Sequence, residues 1–259
     1  MYFYKLYNTI FKSDLSLSGL GLQKIEPNHH DVEIVLKNTL PNSFDLSPIY
    51  KIENKQGYFF RKDIGLYKSI NGSLIEVHPF ETTEDQLMKE NLINFPLALC
   101  MSQRGYLAIH GSSICINDYI FVFSGPSHAG KSTLAAFFFS QNHDVFSEDI
   151  SVIDAKNNML FPSNRYVKLS PDVATFLNIK GEFEYHSKER NRRGYLLPQE
   201  NLMPKKVKDI YFLKWSENNE VKKILNKEAL QNLLKYSFIS ESSEDSTKVL
   251  NVMSKSNFY

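Results

Sequence analysis

Apolar and polar positions alternate with period two over much of the first third of the chain. Asp31-Val-Glu-Ile-Val-Leu36 is the clearest run, and residues 2–11 follow the same alternation in part. Residues 50–53, 57–61, 65–70 and 73–77 continue it. This period puts successive side chains on opposite faces of a β-strand. Asn71-Gly72 separates the last two runs and predicts a tight hairpin, because both residue types accept positive φ. Residues 1–80 therefore read as a β-rich N-terminal domain, mostly antiparallel.

The period changes over residues 81–103. Thr83 can cap a helix whose first turn carries Glu84 and Asp85. Leu87, Met88, Leu92, Ile93, Phe95 and Leu97 give it an apolar face, and Pro96 predicts a kink or break. This stretch reads as a helical connector. From residue 104 onward, strand and helix patterns mix. Residues 105–110 and 112–116 read as strands, and Asn117-Asp118 turns the chain into the apolar run 119–124. Residues 133–141 suit a helix, and residues 143–153 hold two short β-rich runs around Glu148-Asp149. A turn at Asn157-Asn158, a strand Tyr166-Val-Lys-Leu169 stopped by Pro171 and a strand over 207–215 follow. Residues 227–238 predict an amphipathic helix with Leu230, Leu233, Leu234 and Phe238 on its apolar face. Beyond Ile239 the chain is Ser/Glu-rich, then Ser/Lys-rich. Together these patterns predict an α/β fold with a mixed sheet in residues 104–259.

The chemistry concentrates where the 119–124 run ends. Gly125, Pro126, Ser127, His128, Ala129, Gly130, Lys131 and Ser132 fit G-x-x-x-x-G-K-[ST], with Thr133 opening the next helix. In such a loop, glycines free the backbone so that N–H groups can cradle phosphate oxygens. Lys131 would reach the β- and γ-phosphates, and Ser132 would place a hydroxyl on Mg²⁺. The helix N-terminus adds a positive dipole end. ATP and Mg²⁺ are the ligands this pattern predicts.

Phosphoryl transfer also needs metal charge and a group that positions the acceptor. Glu148-Asp149 lies at the edge of a strand pattern, 17 residues after Lys131. One carboxylate could hold Mg²⁺ and its neighbour could act as base. Adjacent strand residues face opposite ways, so the two roles differ unless the backbone bends there. A local basic zone holds Lys188, Arg190, Arg192, Arg193, Lys205, Lys206 and Lys208, offset by Glu189 and Glu200. Arg192 and Arg193 are its candidates for contacting a phosphoryl group or an acidic partner.

Bulk properties narrow the class. With 42% hydrophobic and 23% charged residues, the 259-residue chain can build a large core. A net charge of +1 gives no reason to expect nucleic acid or a membrane surface as partner. No apolar run approaches a membrane span, and the N-terminus lacks a signal-peptide pattern. Cys100 and Cys115 form no metal or redox motif and read as buried thiols, so a cytoplasmic location is expected.

His110-Gly111, the hairpin, the Gly125–Ser132 segment and Ser147-Glu148-Asp149 together resemble the core of HPr kinase/phosphorylase. Over the whole chain the likeness is closer to the HPr-kinase-like serine kinases of lasso-peptide biosynthesis clusters. Its further points are Tyr2-Phe3-Tyr4, Gly19-Leu20 and the segment 204–213. The resemblance implies a P-loop core with mixed β-sheet and ATP-dependent phosphorylation of a Ser hydroxyl in a peptide or protein. In the lasso case the acceptor is a precursor's C-terminal Ser. It implies phosphate and metal binding by Gly125, Gly130, Lys131 and Ser132, a base at Glu148, a metal-side carboxylate at Asp149, and support from His110. It also makes a homo-oligomer an expectation. Three departures stand out. Glu148 is a methylene longer than the family's Asp, His128 replaces a glycine, and residues 150–180 lack the glycine-rich signature of HPr recognition. Two other readings remain open: a nucleotide-binding regulatory or assembly module without turnover, and a small-molecule hydroxyl kinase.

Overall fold

The computed structural model describes residues 1–37, 39–40, 50–53, 55–163, 166–181, 186–187, 191–198, 202–240 and 242–259. The alternating first third forms β1 (Tyr2–Leu6), β2 (Thr9–Ser13), β3 (Gln23–Lys24), β4 (Val32–Leu36), β5 (Tyr50–Glu53), β6 (Gln56–Arg61), β7 (Gly65–Ile70) and β8 (Leu74–Pro79). Among the described residues these make one eight-stranded sheet in the order β3-β1-β2-β4-β8-β7-β6-β5. Its neighbours are antiparallel except at β4, which runs parallel to both β2 and β8. Alternation reports the period of a strand and not its direction, so the mixed character was not visible in it. The Asn71-Gly72 turn is present, with φ of 53° and 66°.

The helical stretch divides into α1 (Asp85–Leu92) and α2 (Phe95–Gln103), with Pro96 in the first turn of α2. Thr83 does not cap α1. Its hydroxyl donates to the Ile64 carbonyl at 2.7 Å, tying the entry of the helix to the sheet. Leu97, Ala98, Leu99, Cys100 and Met101 are all buried, and α2 contacts β6, β7 and β8.

The rest of the chain contributes β9 (Leu107–Ile116), β10 (Tyr119–Ser124), α3 (Lys131–Ser140), β11 (Asp144–Ser147), β12 (Ile150–Asp154), β13 (Met159–Phe161), β14 (Tyr166–Leu169), α4 (Pro171–Phe176), β15 (His186–Ser187), β16 (Arg192–Leu196), β17 (Lys205–Phe212), α5 (Asn226–Tyr236), α6 (Ser243–Met253) and β18 (Asn257–Phe258). The second sheet runs β10-β17-β13-β12-β9-β11, with β18 beside β17. Because β9 also pairs with β10, the pairings return on themselves as a ring. β14, β16 and β15 form a separate small sheet. The molecule is thus a mixed α/β protein. Helix α2 also contacts β9 and β12, so one core joins Tyr4, Ile34 and Ile75 of the first sheet to Ala108, Ile150 and Val152 of the second.

One expectation needs correction. β9 is one ten-residue strand where two were expected, because Gly111 does not break it. A Cβ on Gly111 would sit 2.7 Å from the Phe123 carbonyl oxygen, so this glycine allows close approach of β10. The polar stretch after Ile239 is folded. Ser242 caps α6 by accepting from the Asp245 N–H, and Val249, Val252 and Phe258 are buried. The signal was Ser242-Ser243-Glu244-Asp245 ahead of Val249, a capping pattern hidden in polar composition.

The Gly111 contact generates a prediction. Gly111→Ala must push β10 away or bend β9, and should cost about 1–3 kcal/mol of stability. Urea unfolding with tryptophan or circular-dichroism detection reads this as a lower midpoint at unchanged slope. An unchanged midpoint would show that β9 and β10 tolerate the methyl group.

Candidate functional site

Strand β10 runs between antiparallel β9 and parallel β17 and delivers the chain into residues 125–130. Three of these residues have positive φ: Gly125 (141°), His128 (67°) and Gly130 (92°). Gly125 also needs to be glycine for space, since a Cβ would lie 2.6 Å from the Leu213 carbonyl oxygen. His128 holds a left-handed conformation at a cost of about 1–2 kcal/mol. Its carbonyl accepts from the Trp215 indole N–H at 3.2 Å, which helps fix that peptide. Helix α3 begins at Lys131 directly behind the loop. The Lys131 ammonium is buried and donates to the Gly125 and Pro126 carbonyls at 3.1 and 2.9 Å. Burial pulls its pKa below the usual lysine value, against the opposing pull of Asp149 and Glu148.

The acidic pair sits in an interruption between β11 and β12. β11 shifts register against β9 between Val145 and Ser147, and beyond that shift Ser147 with Ser113 and Ile150 with His110 keep one register. Between them the chain makes a γ-turn: the Ile150 N–H donates to the Glu148 carbonyl at 2.7 Å, with Asp149 at φ 61°. Positive-φ γ-turns are rare and strained. The Gly111 N–H donates to the Asp149 carbonyl at 2.9 Å and anchors the turn.

This bend gives the two carboxylates different surroundings. Glu148 is 1% exposed. Its Oε2 accepts from the Ser112 hydroxyl at 2.9 Å. Burial raises its pKa to about 7, Asp149 adds to the rise, and the hydroxyls of Ser132 and Ser112 oppose it. The Asp149 side chain is 24% exposed and pairs with the Lys168 ammonium. Burial acts to raise its pKa, but Lys168, His110 and Lys131 outweigh it and hold the group at about 2. His110 is held below its usual pKa, chiefly by burial, with the Asp149 carboxylate opposing. Its buried Nδ1 has no hydrogen-bond partner among the described residues.

These groups line one cleft. Ser127, His128, Gly130, Lys131, Ser132 and Thr133 form the loop-and-helix wall, and His110, Asp149 and Arg192 complete it. Each of these nine positions was singled out from the sequence. Gly125, Pro126 and Ala129 shape the loop without lining the cleft, and Glu148 lies beneath it. Arg193 follows Arg192 on β16, pairs in register with Leu169 of β14 and does not line the cleft. The expected basic zone is not one patch. Lys205 pairs with Asp118, and Lys208 lies over the rings of Tyr119 and Phe121. Both are at the end of β17 away from the loop, because β17 starts beside Tyr119 and ends beside Ser124. Lys188, Glu189, Arg190 and Glu200 lie outside the described residues.

Lys168 was not singled out. It is 7% exposed within an entirely buried strand, β14, and its backbone N–H also faces Glu148 at 3.4 Å. The available signal was a lysine inside the apolar run Tyr166-Val-Lys-Leu169, since a buried lysine needs a charged partner. No group of three or more His, Cys, Asp or Glu suited to a metal occurs among the described residues. No helix among them is long and apolar enough to cross a membrane. No protein-family model matches the chain, and no curated protein matches it.

The state of Glu148 has a measurable consequence. An acid whose folded pKa is raised stabilises the fold below its unfolded pKa, about 4.3, and loses that contribution as pH rises through the folded value. Between about pH 4.5 and 7 the wild type should lose stability relative to Glu148→Gln. The Tm of Glu148→Gln minus that of the wild type should therefore grow across this window. A constant difference would show that Glu148 is ionised in the folded protein throughout.

Proposed function

We propose that the protein is an ATP-dependent kinase that transfers the γ-phosphoryl group to a Ser hydroxyl of a peptide or protein. The second sheet with its Gly125–Ser132 loop is, on this reading, an HPr-kinase-like P-loop core. The observation that carries the proposal is a cleft lined together by the Lys131 loop and by Asp149, whose carboxylate pairs with Lys168. The resemblance of His110-Gly111 and Ser147-Glu148-Asp149 to that family adds the choice of a Ser acceptor, with a precursor peptide's C-terminal Ser as its narrowest form.

The residues fit Mg-ATP. The loop holds three positive-φ residues, Gly130 has nothing within 4 Å of where a Cβ would lie, and Ser132 adjoins the acidic pair. When bound, Mg²⁺ neutralises charge on the β- and γ-phosphates. Lys131 and the loop N–H groups bind the phosphates, and Ser132 with Asp149 would hold the ion. Glu148 fixes the Ser132 hydroxyl from below. Asp149 reaches the cleft, so it, rather than the base expected at Glu148, accepts a hydrogen bond from the acceptor hydroxyl. As the acceptor oxygen bonds phosphorus and the bond to the leaving diphosphate breaks, Asp149 takes the hydroxyl proton and releases it to solvent. A pKa near 2 makes it a weak base, which suffices because a loose transition state asks more for orientation than for early deprotonation. Lys168 keeps Asp149 ionised and aimed. Arg192 is placed to neutralise developing charge on the transferred group.

Incubating the protein with Mg-ATP and peptides ending in Ser, followed by mass spectrometry, tests the activity directly. Phosphorylation of a small-molecule hydroxyl instead would select the small-molecule kinase reading, and ATP binding without transfer would select the regulatory module. Asp149→Asn should lower kcat by about 10³-fold and, because Asp149 also holds the ion, raise the Mg²⁺ concentration needed for turnover. Near-wild-type kcat in that variant with loss of transfer in Glu148→Gln would return the base to Glu148.

The positioning role of Lys168 has its own signature. Lys168→Met removes the cation that holds the Asp149 pKa down, so the acidic limb of the kcat–pH profile should move to higher pH. Lys168→Arg should restore it. A lower kcat with an unmoved limb would assign Lys168 to structure alone. In the same assay Arg192→Ala should lower kcat/KM more than Arg193→Ala, and the reverse order would remove Arg192 from the site.

A further inference from the structure

The segment that follows β17 is fastened to the loop at two points. The Leu213 N–H donates to the Ser124 carbonyl at 2.8 Å, and its own carbonyl packs against Gly125. Two residues on, the Trp215 indole N–H donates to the His128 carbonyl. Trp215 is nevertheless 82% exposed, and it is the single tryptophan of the chain. Its one polar atom is occupied by the loop, so what it offers outward is a flat apolar face. A tryptophan tethered in this way keeps a large apolar area in water at a fixed place beside the loop.

We propose that Trp215 is the stacking platform for the purine base of the nucleotide whose phosphates the loop binds. The inference rests on the nucleotide-binding reading above and deepens it by placing the base. A nucleotide whose phosphates sit on the loop carries its base outward through the ribose, and His128, which lines the cleft, is the loop residue to which Trp215 is tethered. Trp215 is the exposed aromatic ring hydrogen-bonded to that flank. Stacking on a π-face does not read base edges, so both adenine and guanine nucleotides should be held.

Titration calorimetry and tryptophan fluorescence with ATP, GTP and inorganic tripolyphosphate test this, using the full chain. Because the chain has one tryptophan, the emission reports on Trp215 alone. ATP and GTP should both quench it, and tripolyphosphate should bind without quenching. Trp215→Ala should weaken ATP about tenfold more than it weakens tripolyphosphate. Trp215→Phe keeps a ring but loses the bond to His128, and should stay within about threefold of wild type. Equal weakening of ATP and tripolyphosphate in Trp215→Ala would mean that the residue only shapes the loop, and would overturn the proposal. Wild-type ATP binding no tighter than tripolyphosphate binding would also overturn it, while leaving the phosphate site standing. If neither ligand binds the wild type, the nucleotide-binding reading fails and the platform fails with it.

Discussion

The site depends on one backbone event, the γ-turn at Asp149 between β11 and β12. The flanking pairs, Ser147 with Ser113 and Ile150 with His110, keep a common register, so the turn neither adds nor removes a residue against β9. Glu148 therefore stays level with Ser112, and Asp149 stays level with Gly111. A regular strand would send the two carboxylates to opposite faces. The turn instead buries one and brings the other to the cleft, both within reach of the same loop. Strain of about 1–3 kcal/mol is typical of such conformations, and it persists only where surrounding contacts fix it.

Those contacts come from both sheets. Beneath the turn, the Ser113, Ser147 and Ser151 hydroxyls form a buried chain, with Ser147 2.6 Å from each of the other two, and Ser151 donates to the Gly111 carbonyl at 3.1 Å. A fully satisfied buried network of this kind fixes one arrangement, because any slip would leave hydroxyls unpaired. From the first sheet, the buried Tyr7 hydroxyl points at the Ile150 carbonyl at 3.4 Å, on the turn's exit. From α2, Phe95 packs against the His110 ring with centroids 6.0 Å apart. The first sheet and the helical stretch, which carry none of the singled-out site residues, thus brace the backbone that carries the acidic pair.

The sequence was most legible where a single local rule applies. The Gly125–Ser132 spacing, the Asn71-Gly72 and Asn117-Asp118 turns and the break ahead of Pro96 each depend on the φ preferences or side-chain chemistry of a few adjacent residues. The two turns and the break are found in the structure, and the Gly125–Ser132 spacing falls between β10 and the first turn of α3. What stayed hidden depends on tertiary neighbours. Gly111 looks like a strand breaker until Phe123 is seen above it. Arg192 and Arg193 are equivalent in composition, and only the pairing of β16 with β14 and β15 separates them. Lys168 is one lysine among many until β14 brings it to Asp149. The parallel pairing of β4 and the placement of Trp215 belong to the same class, since strand direction and loop docking leave no local pattern.

The contrast between Glu148 and Asp149 shows why such neighbours matter to chemistry. Two adjacent carboxylates on an isolated chain would titrate almost together. Here burial raises one against the weaker pull of Lys168, and the same buried lysine, paired directly with the other, lowers it. Each shift strengthens its partner, because keeping Glu148 neutral spares Asp149 a like charge, while an ionised Asp149 makes ionising Glu148 harder. The Asp149 carboxylate is matched by Lys168, which leaves Lys131 and Arg192 as further cations lining the cleft. A cleft lined this way attracts anions, and that property follows from the position of Lys168 and from the bend at Asp149.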